Sequence, residues 1–156
     1  MPLCFGANYP EYYYSVPANE RETRIELHES LCVVDDQYFF HLGRLTIPIT
    51  DYHEDLIFNV WTTISKDNFN KRMNLWSDSN RTKDEPYFGW LQTSIPSYGD
   101  TINLKTISIE QEVGFIPEII IIEEGHSLTL DQENGISYQK AIVIVDAIIR
   151  LQHKAD

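Results

Sequence analysis

Basic residues are scarce in this chain: 12 lysines and arginines stand against 24 aspartates and glutamates, a formal net charge of −12. Gripping a nucleic-acid backbone needs converging cations, so this shortage argues against direct nucleic-acid binding. Cysteine is scarcer still. Cys4 and Cys32 are too few and too far apart for a disulfide framework or a zinc site, and they read as two buried or partly buried thiols. No apolar run approaches the roughly 20 residues of a membrane-spanning helix. The opening Met1-Pro-Leu-Cys-Phe-Gly-Ala-Asn lacks the basic region and long apolar segment of a secretory signal. The expectation is a cytoplasmic protein without membrane association.

Catalytic motifs are missing too. His28, His41, His53, His126 and His153 are scattered, with no His-Glu-x-x-His zinc pattern among them. Gly43, Gly89 and Gly99 are isolated and build neither a phosphate loop nor a dinucleotide fingerprint, and no serine sits in a nucleophile elbow. No catalytic, metal-ligating or cofactor-binding set is therefore assigned, and no cofactor is expected. Two groups come nearest. Asp51, His53, Glu54 and Asp55 carry oxygens that suit a hard cation, and Glu123, Glu124 and His126 place acid–base groups near a strand end; solvated polar loops explain both more simply. Cys32 and His41 face each other across an expected hairpin, without an orienting acid or an oxyanion site.

What is present is enough apolar material to fold. With 156 residues, 42% hydrophobic and 12% aromatic, the chain suits one compact domain over residues 1–156, opened by an extended tyrosine- and proline-rich segment. The acid is uneven: residues 1–60 carry a net −7, residues 61–100 are neutral, and residues 101–156 carry −5. The neutral middle coincides with much of the aromatic content, which implies a packed centre with acidic flanks.

The densest stretch is Pro86–Thr106, with Phe88, Trp90 and Leu91 before Pro96, a turn at Ser97-Tyr-Gly-Asp, and Ile102, Leu104 and Ile107 after it. It reads as the middle of a sheet. Residues 19–30 are polar and suit a short helix or a connection. Leu31–Val34 and Tyr38–Phe40 flank Asp35-Asp36 as a hairpin. Gly43 is expected to bend the chain, and Pro48 to mark an edge or bulged strand. Leu56–Ile64 alternates as a strand. Ser65 caps a helix in which Phe69, Met73 and Trp76 recur at helical spacing, and Ser137 caps a second with Ala141, Ile144, Val145, Ile148 and Leu151 on its apolar face. Ile119–Ile122 is a buried strand, and Gly125-His126 breaks the chain before Leu128-Thr-Leu. The expected class is α+β: a mostly antiparallel or mixed central sheet with a middle helix and a C-terminal helix packed on it.

Several segments recur in a familiar order. Phe5-Gly-Ala-Asn-Tyr-Pro-Glu-Tyr-Tyr-Tyr, Leu31-Cys-Val-Val-Asp and Tyr38-Phe-Phe-His-Leu-Gly-Arg-Leu-Thr-Ile-Pro-Ile are followed by Val60-Trp-Thr-Thr-Ile-Ser, Pro86-Tyr-Phe-Gly-Trp-Leu, Tyr98-Gly-Asp-Thr-Ile-Asn-Leu-Lys-Thr and Asp131-Gln-Glu-Asn-Gly-Ile-Ser. That order resembles the bacterial domain-of-unknown-function family 2199 over nearly all of the chain. The resemblance implies a single domain and assigns no active site. Many members of that family begin with a two-cysteine, zinc-ribbon-like element, whereas only Cys4 lies near that position here.

Excess carboxylate without catalytic motifs fits a small binding protein better than an enzyme. The reading preferred from sequence is an immunity protein, which covers the basic active cleft of a cognate toxin domain, a nuclease being one option. Its acid would come from Glu20, Glu22, Glu26, Asp35 and Asp36, or from Asp51, Glu54 and Asp55. Tyr12, Tyr13, Trp76 or Tyr98 would supply desolvated anchors. The alternatives are a metal-dependent hydrolase or other enzyme using His53 or His126 with nearby carboxylates, and a homodimeric regulatory or structural module.

Overall fold

The structure is a computed structural model that describes residues 2–155. In chain order its elements are β1 (Cys4–Gly6), α1 (Arg21–Arg24), β2 (Ile25–Leu27), β3 (Leu31–Val34), β4 (Tyr38–Ile47), β5 (Leu56–Ile64), α2 (Lys66–Asn74), β6 (Tyr87–Trp90), β7 (Lys105–Ile109), β8 (Glu118–Ile121), α3 (Ser127–Asn134) and α4 (Tyr138–Ala155). Short 3₁₀ turns occupy Glu11–Ser15, Ala18–Glu20 and Ser79–Lys83. The class is α+β, with one mixed eight-stranded sheet that carries a middle and a C-terminal helix.

The long strands β4 and β5 pair antiparallel from Phe39↔Ile64 to Ile47↔Leu56. Each divides its other edge between two partners. β4 meets β3 at its start and runs parallel to β8 at Arg44↔Glu118, while β5 meets β1 in parallel at Ile57 to Asn59. The order continues β8–β7–β6 and then returns to β5: Leu91 bridges Thr62, Gln92 N–H donates to the Trp61 carbonyl at 2.7 Å, and Trp90 N–H donates to Thr63 Oγ1 at 2.9 Å. The sheet thus curls until its last strand touches its second, which covers an otherwise open edge. The Pro86–Leu91 segment is the strand that closes this curl, not the sheet's middle.

Gly43 is a correction of another kind. It lies inside the unbroken β4, where a Cβ would stand 2.3 Å from Ile119 Cδ1. The glycine admits a close neighbour; it does not bend the chain. Pro48 follows the last residue of β4, so that strand keeps partners on both edges, and the Pro48 carbonyl accepts from Ile136 N–H.

The larger core fills one half of the curl: Leu45, Ile47, Phe58, Val60, Leu91, Ile119 and Ile121 pack against Leu128 of α3 and Ala141, Ile144, Val145 and Ile148 of α4. Burying each large aliphatic chain is worth about 1.5–3 kcal/mol. Leu151 lies beyond this contact and is exposed. A smaller core gathers Val16, Cys32, Val34, Phe40 and Trp61 on the other face of β3–β5, and the Trp61 indole N–H donates to the Ala7 carbonyl. Tyr12 packs on it, which ties the tyrosine-rich segment to the domain.

Both expected caps are present: Ser65 Oγ accepts from Asn68 N–H and Ser137 Oγ from Lys140 N–H. α3 is an element that hydrophobic spacing does not announce. Its cap is a histidine, His126, whose Nδ1 accepts from Leu128 N–H, and among its residues only Leu128 is fully buried. Both cysteines are free. Cys4 is exposed, contrary to its expected burial, and Cys32 is buried with its thiol pushed up to about 11 by desolvation.

Candidate functional site

The hairpin β3–β4 turns through Asp35 and Asp36, both in the left-handed region at φ 53° and 54°. Aspartate tolerates this conformation better than most side chains, which is why the acids sit at the tip. Asp35 does not bond its own turn. Its carboxylate receives Arg24 Nε at 2.9 Å and Nη2 at 2.8 Å, and this contact holds it below the usual carboxylate range. Arg24 also reaches Glu20 at 3.4 Å. Around that arginine Glu22, Glu26, Asp35 and Asp36 line one shallow depression. The strand next to it, β2, pairs with β3 on one side, and no strand among the described residues takes its other edge.

The tyrosines flank the same place. Tyr12 packs at 4.8 Å on the ring of Tyr38, which lies just past the turn, and at 5.9 Å on Phe40. Tyr13 stacks on Tyr9 at 3.9 Å, with the Arg21 guanidinium 4.6 Å from its ring. Seven residues named from sequence therefore come together: Tyr12, Tyr13, Glu20, Glu22, Glu26, Asp35 and Asp36.

The other five do not join them. Asp51 Oδ1 accepts from Tyr138 N–H at 2.6 Å and so caps α4. Glu54 and Asp55 line a separate hollow with Arg44 and Cys4. Trp76 is exposed beside the buried guanidinium of Arg72, 5.1 Å away. Tyr98 is a core residue, 5% exposed, whose hydroxyl donates to Asp131 of α3 at 2.8 Å. It offers a partner almost no surface, because its ring belongs to the larger core. The turn that sends it inward includes Ser97 at φ 75° and Gly99 at φ 68°.

The histidines separate as well. His53 is exposed, 3.8 Å from Glu54. His126 spends one ring nitrogen on its helix cap and the other on the Asp100 carbonyl at 3.2 Å, so neither is spare for proton transfer. Cys32 and His41 point to opposite faces of the sheet, Cys32 into the smaller core and His41 to within 3.1 Å of Ser108 Oγ. No group of three or more His, Cys, Asp or Glu suited to a metal ion occurs among the described residues.

Two features escape the sequence reading. The first is a polar half of the curled sheet. Thr106 and Ser108 of β7 point inward, as do His41 and Thr62, and Arg72 of α2 and Arg81 converge on Glu110 at 3.1 Å and 3.8 Å, all buried. The second is its consequence outside. Phe88, Trp90, Ile109 and Ile122 stand exposed on the outer face of β6–β8, and Phe88 meets Trp90 edge-on at 5.1 Å. The available signal for the first was spacing, since Phe69, Arg72, Met73 and Trp76 share one helical face.

No helix is long and apolar enough to cross a membrane among the described residues. Comparison with curated proteins and with solved structures returns no match. A family model does match, over residues 1–136, ending where Ile136 bridges Ile49 and just before α4. The chain belongs to the family of uncharacterised proteins conserved in bacteria known as DUF2199.

Proposed function

We propose that this protein is a binding module of the immunity type, which neutralises a basic bacterial toxin domain by covering its active cleft. The observation that carries the reading is convergence: Glu20, Glu22, Glu26, Asp35 and Asp36, dispersed over 17 positions of sequence, gather at one end of the sheet beside Tyr12 and Tyr13. Arg21 and Arg24 offset them there in part. An acidic rim speeds encounter with a cationic cleft, and rigid tyrosines next to it supply apolar contact at low entropic cost. The free edge of β2 adds unpaired backbone groups on which a partner strand can align.

The test is capture of partners from the native bacterium with the tagged full chain, alongside a Glu22→Lys/Glu26→Lys/Asp36→Lys variant. Recovery of one basic protein by the wild type alone, with rescue of that protein's toxicity on co-expression, supports the reading. Equal recovery by both forms, or a partner whose toxicity is unaffected, refutes it.

A second reading has its own observation. The outer face of β6–β8 exposes Phe88, Trp90, Ile109 and Ile122, and exposed apolar surface on one sheet face marks association sites. A homodimer would bury it. Sedimentation across a wide concentration range reads this directly, and a mass that stays monomeric removes the reading.

A further inference from the structure

Arg72 and Arg81 are the most buried arginines among the described residues, at 1% and 2% exposure. Their roles differ. Arg81 is a staple: Nε donates to Gln111 O, Nη1 to Trp76 O, and Nη2 to Glu112 O and Phe115 O, at 2.7–2.9 Å. Those carbonyls satisfy its N–H groups without neutralising its charge. Arg72 gives Nε and Nη2 to Glu110, and its Nη1 has no hydrogen-bond partner among the described residues. One carboxylate therefore faces two guanidinium groups, and a positive charge is left over in a chain whose net charge is −12. A buried donor on a charged group left unpaired is costly, so an acceptor offered to Arg72 there would be bound favourably.

Both arginines line a cavity of about 370 Å³ whose other walls include Leu42, Trp76, Phe115 and Ile116. That volume lies at the small end of the range for ligand sites, which are mostly apolar with a few placed polar groups. Glu29 also lines it and is exposed, so a second negative charge on a ligand would be repelled. The combination of one surplus cation, aromatic and aliphatic walls and an acid at the edge selects against phosphate esters and inorganic phosphate.

We propose that this cavity binds a small monocarboxylate with an apolar body, whose carboxylate completes the coordination of Arg72 while its body rests between Trp76 and Phe115. The site is independent of the acidic end of the sheet, and it gives the protein a small-ligand function distinct from protein recognition.

The test uses the full chain and three probes, acetate, phenylacetate and indole-3-acetate, with phenylacetamide and inorganic phosphate as controls. Binding is read by calorimetry and by the Trp76 indole resonance, assigned with Trp76→Phe. Phenylacetate is expected to bind at least about tenfold more tightly than phenylacetamide, about 1.4 kcal/mol, and more tightly than phosphate. Substitution of Arg72 risks unfolding by stranding Glu110, so the variant is Phe115→Ser, at a residue 65% exposed. It should weaken phenylacetate several-fold and leave the melting temperature unchanged. Equal affinity for acid and amide, preference for phosphate, indifference to Phe115→Ser, or no binding of any of the three carboxylates at millimolar concentration would each overturn the proposal. The Glu22→Lys/Glu26→Lys/Asp36→Lys variant should bind phenylacetate as the wild type does, which separates failure here from failure of the protein-binding reading.

Discussion

His41 shows what a polar interior does to a single residue. It is fully buried, bonded through Nε2 to Ser108, and has no partner for Nδ1 among the described residues; burial, reinforced by the nearby Arg72 charge, pulls its pKa from 6.5 down to about 3. The folded protein therefore holds this imidazole neutral. In the unfolded chain it takes up a proton near pH 6.5, so between that pH and about 3 the unfolded state binds more protons and acid favours unfolding. The contribution to stability is complete above pH 6.5, declines as pH falls, and levels off below the folded value. The expected loss is about 1.4 kcal/mol per pH unit inside the window. His41→Gln keeps a group near the Nε2 position without a titrating ring, and urea unfolding between about pH 7 and 4 should show a slope shallower by about one proton. An unchanged slope would mean that His41 is protonated in the fold. Glu110 supports a second prediction. Removing it as Glu110→Ala strands two buried guanidinium groups, and breaking a buried ion pair in this way costs about 3–5 kcal/mol. Chemical denaturation measures it, and a loss under about 1 kcal/mol would show that solvent reaches both arginines.

Closure of the sheet depends on one element, β6, and on its glycine. A Cβ on Gly89 would fall 2.1 Å from the Thr63 carbonyl, a backbone atom that cannot rotate aside. Gly89→Ala is expected to push β6 off β5, strip Thr62↔Leu91 of its bridge and cost about 1–3 kcal/mol, with amide exchange accelerating at Leu91 and Gln92 before other strands. A Cβ on Gly43 would meet the Ile119 side chain at 2.3–2.4 Å and the Pro117 carbonyl at 3.0 Å, a backbone clash milder than that at Gly89, so Gly43→Ala should cost less; the reverse order in denaturation midpoints would contradict this account. The same strands mark where sequence reasoning held and where it stopped. Local signals were sufficient for the two serine caps, the Asp35-Asp36 hairpin and the long alternation of β5, because each is decided within a few residues. β7 defeats that logic. Lys105-Thr-Ile-Ser-Ile alternates cleanly, but alternation does not say which face is inside, and here Thr106 and Ser108 are buried while Ile109 is exposed. The choice is made by distant groups, His41 and the two arginines, whose burial calls for polar neighbours such as Ser108 and Glu110. Nor does the spacing of α2 say that Arg72, rather than Phe69 or Met73, is its fully buried residue. The acidic residues were named individually from sequence, but their convergence required the fold to bring α1, β2 and the β3–β4 turn to one end.

Charge acts on the molecule as a whole. With 24 acids and 12 bases the surface repels itself, and this destabilises the compact state most at low ionic strength, where the Debye length exceeds the spacing between neighbouring carboxylates. Added sodium chloride should therefore raise the melting temperature, whereas a protein held by exposed ion pairs would lose stability. The acidic end supplies a concentrated share of that repulsion. Neutralising it as Glu22→Gln/Glu26→Gln/Asp36→Asn should raise the melting temperature at low salt by about 2–4 °C for each kcal/mol relieved, and the difference from wild type should vanish as salt rises. The same variant is predicted to associate more slowly with a captured basic partner, and salt should slow the wild type towards the variant's rate while dissociation rates stay similar. The two measurements read one charge distribution in opposite directions: under the proposed function, the carboxylates that weaken the isolated fold are those that would draw in the partner. A variant that gained stability yet kept its association rate would place the partner elsewhere on the surface, and the apolar outer face of β6–β8 would then be the region to substitute, beginning at Phe88 and Trp90.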